Sequence, residues 1–291
     1  MPSSTSGARP AGPSKLRGFA TRSVVGAALI AIVAASLAWF HWGLVGLIAA
    51  FVALGAHELG HAAAIKGWHP AWQLVAVGGA GIIVLGYGGW VSLAGWGELA
   101  PLVIGVLAGM PLVLAAWVWR LRGPTDGYFA DIAVTTLMMV YLPGLASFVV
   151  MMMRSVHPVA NVVVFIACIV INDSGAYIMG SLLGRHHMTP HISPAKTWEG
   201  LAGGIVWSGV AGALLVWLVL GAPWWQGVVA GVVLGVCAAL GDLIESAIKR
   251  DTGQKDMGKL LPGHGGVMDR VDSLLFCAPV AWALLCLWIS A

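Results

Sequence analysis

Nine continuous apolar stretches, parted by short polar segments, constrain this chain more than any other feature. They run over approximately 24–40, 43–65, 73–90, 99–119, 131–153, 158–181, 201–220, 224–248 and 273–290. A helix needs about 20 apolar residues to cross the hydrocarbon core, and most of these stretches reach that length. Continuous runs exclude a membrane β-barrel, whose strands alternate in apolar character over roughly ten residues. The composition agrees, with 59% apolar and only 9% charged residues. Soluble domains average about 25% charged. So few charges cannot cover a 291-residue water-exposed fold. An ordinary cytosolic domain, a disordered chain and a coiled coil are excluded. The expected fold is all-α: a polytopic integral membrane protein with about nine transmembrane helices in one bundle over 24–291.

Residues 1–23 are rich in Ser, Gly, Pro and Arg and have no hydrophobic period. They read as a disordered basic tail. The tail is long for the start of a signal peptide, and a second apolar run follows the first almost at once. Basic residues set the orientation. With the N-terminus in the cytosol, every Lys and Arg except Arg154 falls on the cytosolic side. The C-terminus is then external. The net charge of +3 therefore reflects topology, and no nucleic-acid partner is expected. The four cysteines, Cys168, Cys237, Cys277 and Cys286, all lie in apolar runs without a CxxC pair. They read as packing residues, not as a disulfide or zinc framework. Trp224 and Trp225 suit an interfacial belt. Met151–Met153 suit packing or a lipid face.

The acids are unevenly placed. Eight of the twelve lie between Asp173 and Asp272. Asp173, Asp242, Glu245 and Glu58 fall inside apolar stretches, where an ionisable group costs at least ~2.5 kcal/mol and signals function. At 1.5 Å per residue, Asp242 is ~9 Å and Asp173 ~12 Å from the cytosolic end of its stretch. Together they predict a polar cavity sunk into the membrane and open to the cytosol.

The densest polar block runs from Gly241 to Asp272. Asp242, Glu245, Ser246 and Lys249 are spaced i, i+3, i+4 and i+7, so they share one helix face. Asp269 and Asp272 repeat the spacing of three around Arg270. Carboxylates suit a hard cation such as Mg²⁺, and cation and lysines together neutralise phosphates. Gly263, Gly265 and Gly266 allow close backbone approach to a phosphate. A solvated loop obeying the positive-inside rule explains Lys255, Asp256 and Lys259 equally well, but not acids inside the stretch beside them.

The run Ser246-x-Ile248-Lys249-Arg250-x₄-Lys255-Asp256-x-Gly258-x₂-Leu261-Pro262-x-His264-Gly265-Gly266-Val267-x-Asp269-Arg270-Val271-Asp272 resembles the complete signature of the phosphatidate cytidylyltransferase (CDP-diacylglycerol synthase) family. Upstream, Asp173-Ser-Gly-Ala-Tyr177 and Ser193-Pro194-Ala195-Lys196-Thr197-x-Glu199-Gly200 resemble two further blocks of that family. Ala195 stands where a basic residue is usual. Glu58, with Lys66, Gly67 and Pro70, resembles a weaker N-terminal block. The likeness is tight over about 170–275, within a catalytic half at about 158–291.

The resemblance implies a bacterial inner-membrane enzyme with a cytosol-facing site. It would make CDP-diacylglycerol and pyrophosphate from CTP and phosphatidate for phospholipid biosynthesis. It implies Mg²⁺, with room for a second, monovalent cation such as K⁺, and leaves a homodimer open. Carried over by position, Asp242, Asp269 and Asp272 match metal ligands. Asp173, Lys196, Ser246, Lys249, Arg250, Lys255, Asp256, His264 and Arg270 match catalytic-motif positions. Glu58, Ser193, Thr197, Glu199, Gly265 and Gly266 match substrate-binding ones. The chemistry suits these residues. The lipid phosphate is already an anionic nucleophile, so charge neutralisation and in-line placement are the main needs.

Three other readings compete. His57-Glu58-Leu59-Gly60-His61 matches HExxH, the zinc motif of metalloproteases. Its third ligand would have to be Asp126 or Asp131, and neither sits in a metalloprotease block. A transporter for an anionic substrate would also bury acids, but no inverted repeat is evident. A cytidylyltransferase for another lipid phosphate fits the same motifs, which do not read acyl chains. His186, His187 and His191 adjoin the Ser193 block without acids or cysteines and read as loop residues.

Overall fold

The computed structural model describes residues 28, 31–88, 100–258 and 265–290. The described chain is a bundle of helices: α1 (His41–Ile65), α2 (Trp72–Gly88), α3 (Ala100–Arg120), α4 (Tyr128–Met152), α5 (Pro158–Leu183), α6 (Trp198–Leu220), α7 (Trp224–Asp251) and α8 (Met268–Ile289). Seven of these are long and apolar enough to cross a membrane. The eighth, α2, has 17 residues. At 1.5 Å per residue it spans about 25 Å, short of the ~30 Å hydrocarbon core. The first expected span is helical over 31–39 and ends at Phe40, one residue before α1. The basic tail lies outside the described residues. The expected ninefold count therefore becomes seven full-length helices and a shorter one among the described residues, with part of a further helix before them.

Burial follows a membrane protein's logic. Large apolar side chains such as Val77, Leu107, Trp217 and Leu218 are exposed, while Asn161, Ser208 and Glu245 are fully buried. Lipid takes the place of water around the apolar exterior, and polar side chains turn inward to find partners. Met151–Met153 are buried and pack in the core, whereas Trp224 and Trp225 are exposed at the start of α7. The cysteines are free.

Helices α5, α6 and α7 approach closely because small residues line their contacts. Gly227, Gly231 and Gly235 recur every fourth residue along α7 and face Ser208, Gly209 and Gly212 of α6. A Cβ at any of the three would collide with atoms of α6 or, at Gly235, also with Asn172. Small-xxx-small spacing is how helices pack in lipid, where dispersion replaces hydrophobic association. Ser208 Oγ lies within hydrogen-bond distance of Gly231 O (2.8 Å) and Cys168 O (3.2 Å), joining all three helices.

Proline falls inside three helices, as Pro111 of α3, Pro143 of α4 and Pro279 of α8. Pro143 lacks an N–H, and α4 opens into a π-turn over Val140–Gly144. The segment between α5 and α6, expected as a loop, folds into a small antiparallel hairpin of β1 (His187–Thr189) and β2 (Ser193–Thr197). The hairpin is the one departure from an all-helical fold among the described residues.

Candidate active site

The described residues of the Asp173, Lys196 and 242–272 blocks converge on one cleft of about 580 Å³, and the Glu58 block lies outside it. Its walls come from α5 (Asp173), β2 (Lys196), α7 (Asp242, Lys249), the turn after α7 (Asp256) and α8 (Asp269, Arg270, Asp272). The volume falls within the ~300–1,000 Å³ range of small-molecule sites.

Helix α7 delivers the first acids. Asp242, Glu245, Ser246 and Lys249 do share one face, as their spacing requires. Ser246 Oγ donates to Asp242 Oδ1 at 3.2 Å. Lys196 Nζ lies 2.7 Å from Asp242 Oδ2, an ion pair rather than an aligned hydrogen bond. Lys249 pairs with Glu245 and donates to Asp269 Oδ1 at 2.8 Å. Glu245 is fully buried, and neither of its oxygens accepts a hydrogen bond. Among the described residues, Lys249 is its ion-pair partner. The last turn carries Lys249 and Arg250, favourably placed against the helix dipole. Gly253, at φ 72°, then turns the chain, and Gln254 N donates to Lys249 O. This left-handed glycine stop aims the following segment back over the cleft.

Helix α8 delivers the remaining acids. Gly265, at φ 84°, needs the left-handed region that glycine adopts without strain. Asp269 Oδ2 then accepts the amides of Gly266 (2.8 Å) and Met257 (3.1 Å). Among the described residues, Asp272 Oδ1 accepts from Ser273 N, at 2.7 Å. An ionised carboxylate offers about four acceptor positions. Asp269 uses three of them, while Asp242 and Asp272 keep more.

One group of acids has the spacing of a cation site among the described residues. Asp242, Glu245 and Asp272 place one oxygen each within 4.8 Å of one another. Hard oxygen donors of this kind suit Mg²⁺. Sequence reasoning had Asp242 and Asp272 in the metal set but left out Glu245, although it saw that Glu245 lay in an apolar stretch. It also missed Asn172, a buried side chain lining the cleft whose Oδ1 has no hydrogen-bond partner. A polar residue beside Asp173 in an apolar run was the available signal.

Several residues expected to contact substrate have structural partners in the fold. Glu58 is buried and does not line the cleft. Its Oε1 accepts Val267 N and its Oε2 accepts Met268 N, both at 2.9 Å. It caps α8, because the first amides of a helix have no partner within it. A Cβ at Gly258 or Gly266 would strike the Glu58 carboxylate, which explains both glycines. Gly266 is thus shaped for Glu58, and its amide serves Asp269.

Thr197 Oγ1 accepts Gly200 N and caps α6. Glu199 accepts the amides of Arg185 and His186, with His186 Nδ1 2.5 Å from Oε1, and fixes the entry to the hairpin. Ser193 is paired in the hairpin with Thr189. Arg250 Nε donates to Ile192 O and ties the hairpin to α7. Lys255 is exposed beside Asp256, and His264 lies outside the described residues. Ala195, at the position where a basic residue is usual, lines the cleft with a methyl group.

The HExxH histidines form no metal group among the described residues. His61 Nδ1 lies 2.9 Å from His57 O, and both rings pack near Trp72. With Glu58 engaged by two amides, the motif lacks its base. Asp131, proposed as a third ligand, is bound instead by Arg120.

The bundle and its acid-lined cleft define a membrane protein with a charged cleft set among its helices. The chain belongs to the cytidylyltransferase family, whose sequence model matches residues 20–288. It is similar to the phosphatidate cytidylyltransferase of Mycobacterium bovis, 39% identical over 63% of this chain and 65% of that protein. The Bacillus subtilis (strain 168) phosphatidate cytidylyltransferase is 40% identical over 55% of this chain and 60% of that protein. The Synechocystis one is 48% identical over 40% of each. The match thus spans less than two thirds of each relative's length.

Proposed function

We propose that this protein transfers CMP from CTP to phosphatidate, giving CDP-diacylglycerol and pyrophosphate, at a cytosol-facing site in a bacterial inner membrane. The carrying observation is the meeting of Asp173, Lys196, Asp242, Lys249, Asp269, Arg270 and Asp272 in one cleft. Family membership and relatives named for this reaction support it. The metalloprotease reading has no support, since Glu58 is a helix cap.

Asp242 and Asp272 have the open acceptor positions to hold Mg²⁺, with Glu245 behind them and Asp269 beside them. Bound there, Mg²⁺ would neutralise charge on the CTP phosphates and orient them. Lys196 and Arg270 face the same cleft and offset the remaining charge. Lys249, committed to Glu245 and Asp269, mainly holds the acids in place. An oxygen of the lipid phosphate attacks the α-phosphorus. The new P–O bond forms as the bond to the β-phosphate bridge breaks, and pyrophosphate leaves with that electron pair. No side chain has to remove a proton, because the nucleophile is already an anion. Placement and charge supply the catalysis.

The test is an assay of the purified chain with CTP and phosphatidate, following pyrophosphate. Release that needs both substrates and Mg²⁺ is expected. Release without phosphatidate would point to another acceptor or to hydrolysis.

A further inference from the structure

We propose that a second cleft, between the α1–α2 and α3–α4 loops, binds the phosphate headgroup of an anionic phospholipid. It measures about 810 Å³ and shares no lining residue with the catalytic cleft. Its lining includes Lys66, Trp68, Trp119, Arg120, Arg122 and one acid, Asp126.

The cleft is built rather than incidental. Asp131, 2% exposed, accepts Arg120 Nε on Oδ2 at 2.6 Å and His69 N on Oδ1 at 2.5 Å. One buried carboxylate therefore anchors both walls. The other guanidinium nitrogens of Arg120 donate to Pro124 O (2.6 Å) and Asp126 O (2.9 Å), folding the α3–α4 loop around the opening. Arg120 is spent on this framework, which leaves two other cations for a ligand. Arg122 is exposed and has no acid partner among the described residues. Lys66 pairs with Asp251, itself 62% exposed, at 3.0 Å. An exposed pair contributes about 0–1 kcal/mol, so a phosphate can take over the lysine.

The flanking indoles select lipid over soluble phosphate. Trp119 is 59% exposed at the end of a membrane-length helix, and Trp68 is half-buried in the opposite loop. Indoles settle at the headgroup level, and basic pockets between helices on the cytosolic side hold anionic headgroups. Asp251 also ends α7, the helix bearing Asp242 and Lys249, so both clefts adjoin one helix terminus.

The test uses the full chain in phosphatidylcholine nanodiscs doped with a photoreactive phosphatidylglycerol, with labelled peptides mapped by mass spectrometry. Labelling should concentrate on 66–69 and 119–127. The Lys66→Ala/Arg122→Ala double variant should lower it by about tenfold or more, at ~1 kcal/mol per lost cation. The charge-preserving Lys66→Arg/Arg122→Lys variant should retain it, and Asp126→Asn should raise it. Unchanged labelling in the alanine variant with the lysine–arginine swap folded, or equal labelling by a zwitterionic photolipid, would overturn the proposal. Displacement of the label by millimolar inorganic phosphate would overturn the lipid assignment. Labelling is read without CTP, so failure of the cytidylyl-transfer assay leaves this outcome independent.

Discussion

Glu58 of α1 accepts the amide of Met268 at 2.9 Å across 210 residues of chain. With Val267 N on its other oxygen, this carboxylate sets the start of the helix that carries Asp269, Arg270 and Asp272. Glu58→Ala should leave two buried amides unpaired and cost about 1–3 kcal/mol for each. Glu58→Gln keeps one acceptor oxygen and should fall between the two. Thermal unfolding in detergent should show that order of stability. Turnover should follow it, because the acids of α8 lose their fixed position.

Asp242 and Asp272 differ from Glu245 in what they face. The first two line the cleft, while Glu245 is sealed behind it against Lys249. Asp242→Asn and Asp272→Asn should each lower turnover by orders of magnitude in folded protein, since several kcal/mol of charge stabilisation is lost. Lys249→Met should instead destabilise the fold by about 3–5 kcal/mol, leaving Glu245 buried without its cation. The Lys249→Met/Glu245→Gln pair should recover much of that loss. Denaturation midpoints and steady-state kinetics on the four variants separate the two roles.

The histidines beside Glu58 should be dispensable. His57→Ala and His61→Ala should keep nucleotidyl transfer largely intact, and the purified protein should contain no stoichiometric zinc. Bound zinc that vanishes in both variants would restore a metal role for the HExxH sequence.

Lys255 is exposed next to the cleft residue Asp256. If it meets the triphosphate only in the ground state, Lys255→Ala should raise KM for CTP with little change in kcat. Equal loss in kcat and kcat/KM would instead place it in the transition state.

Loop orientation can be checked at two exposed positions, Asp126 and His157. In a variant lacking the native cysteines, Asp126→Cys should label from the cytosol and His157→Cys from the opposite side. Labelling of both from one side would overturn the proposed orientation, in which the cleft faces the cytosol.

The sequence made the membrane class, most helices and the motif blocks readable, because continuous apolar runs and fixed i, i+3, i+4 spacings are local properties. Asp242, Ser246 and Lys249 share a face for that reason alone. Glu58 was readable as an in-membrane acid but not as a cap, since Val267 and Met268 reach it only through tertiary folding. Asp269 presents the same limit. Its spacing from Asp272 suggests a ligand, yet two loop amides and Lys249 occupy most of its acceptor positions. The 187–197 hairpin was missed because it is five residues or fewer per strand, and Glu199 and Arg250 hold it from outside.

The most direct test of the cleft's chemistry is the fate of the individual phosphates of CTP. Purified protein is incubated with phosphatidate, Mg²⁺ and CTP carrying phosphorus label at either the α or the γ position, and the organic phase is counted. The α label is expected in the lipid, while the γ label stays in water as pyrophosphate. Transfer of the γ label to lipid, or of neither label, would contradict it.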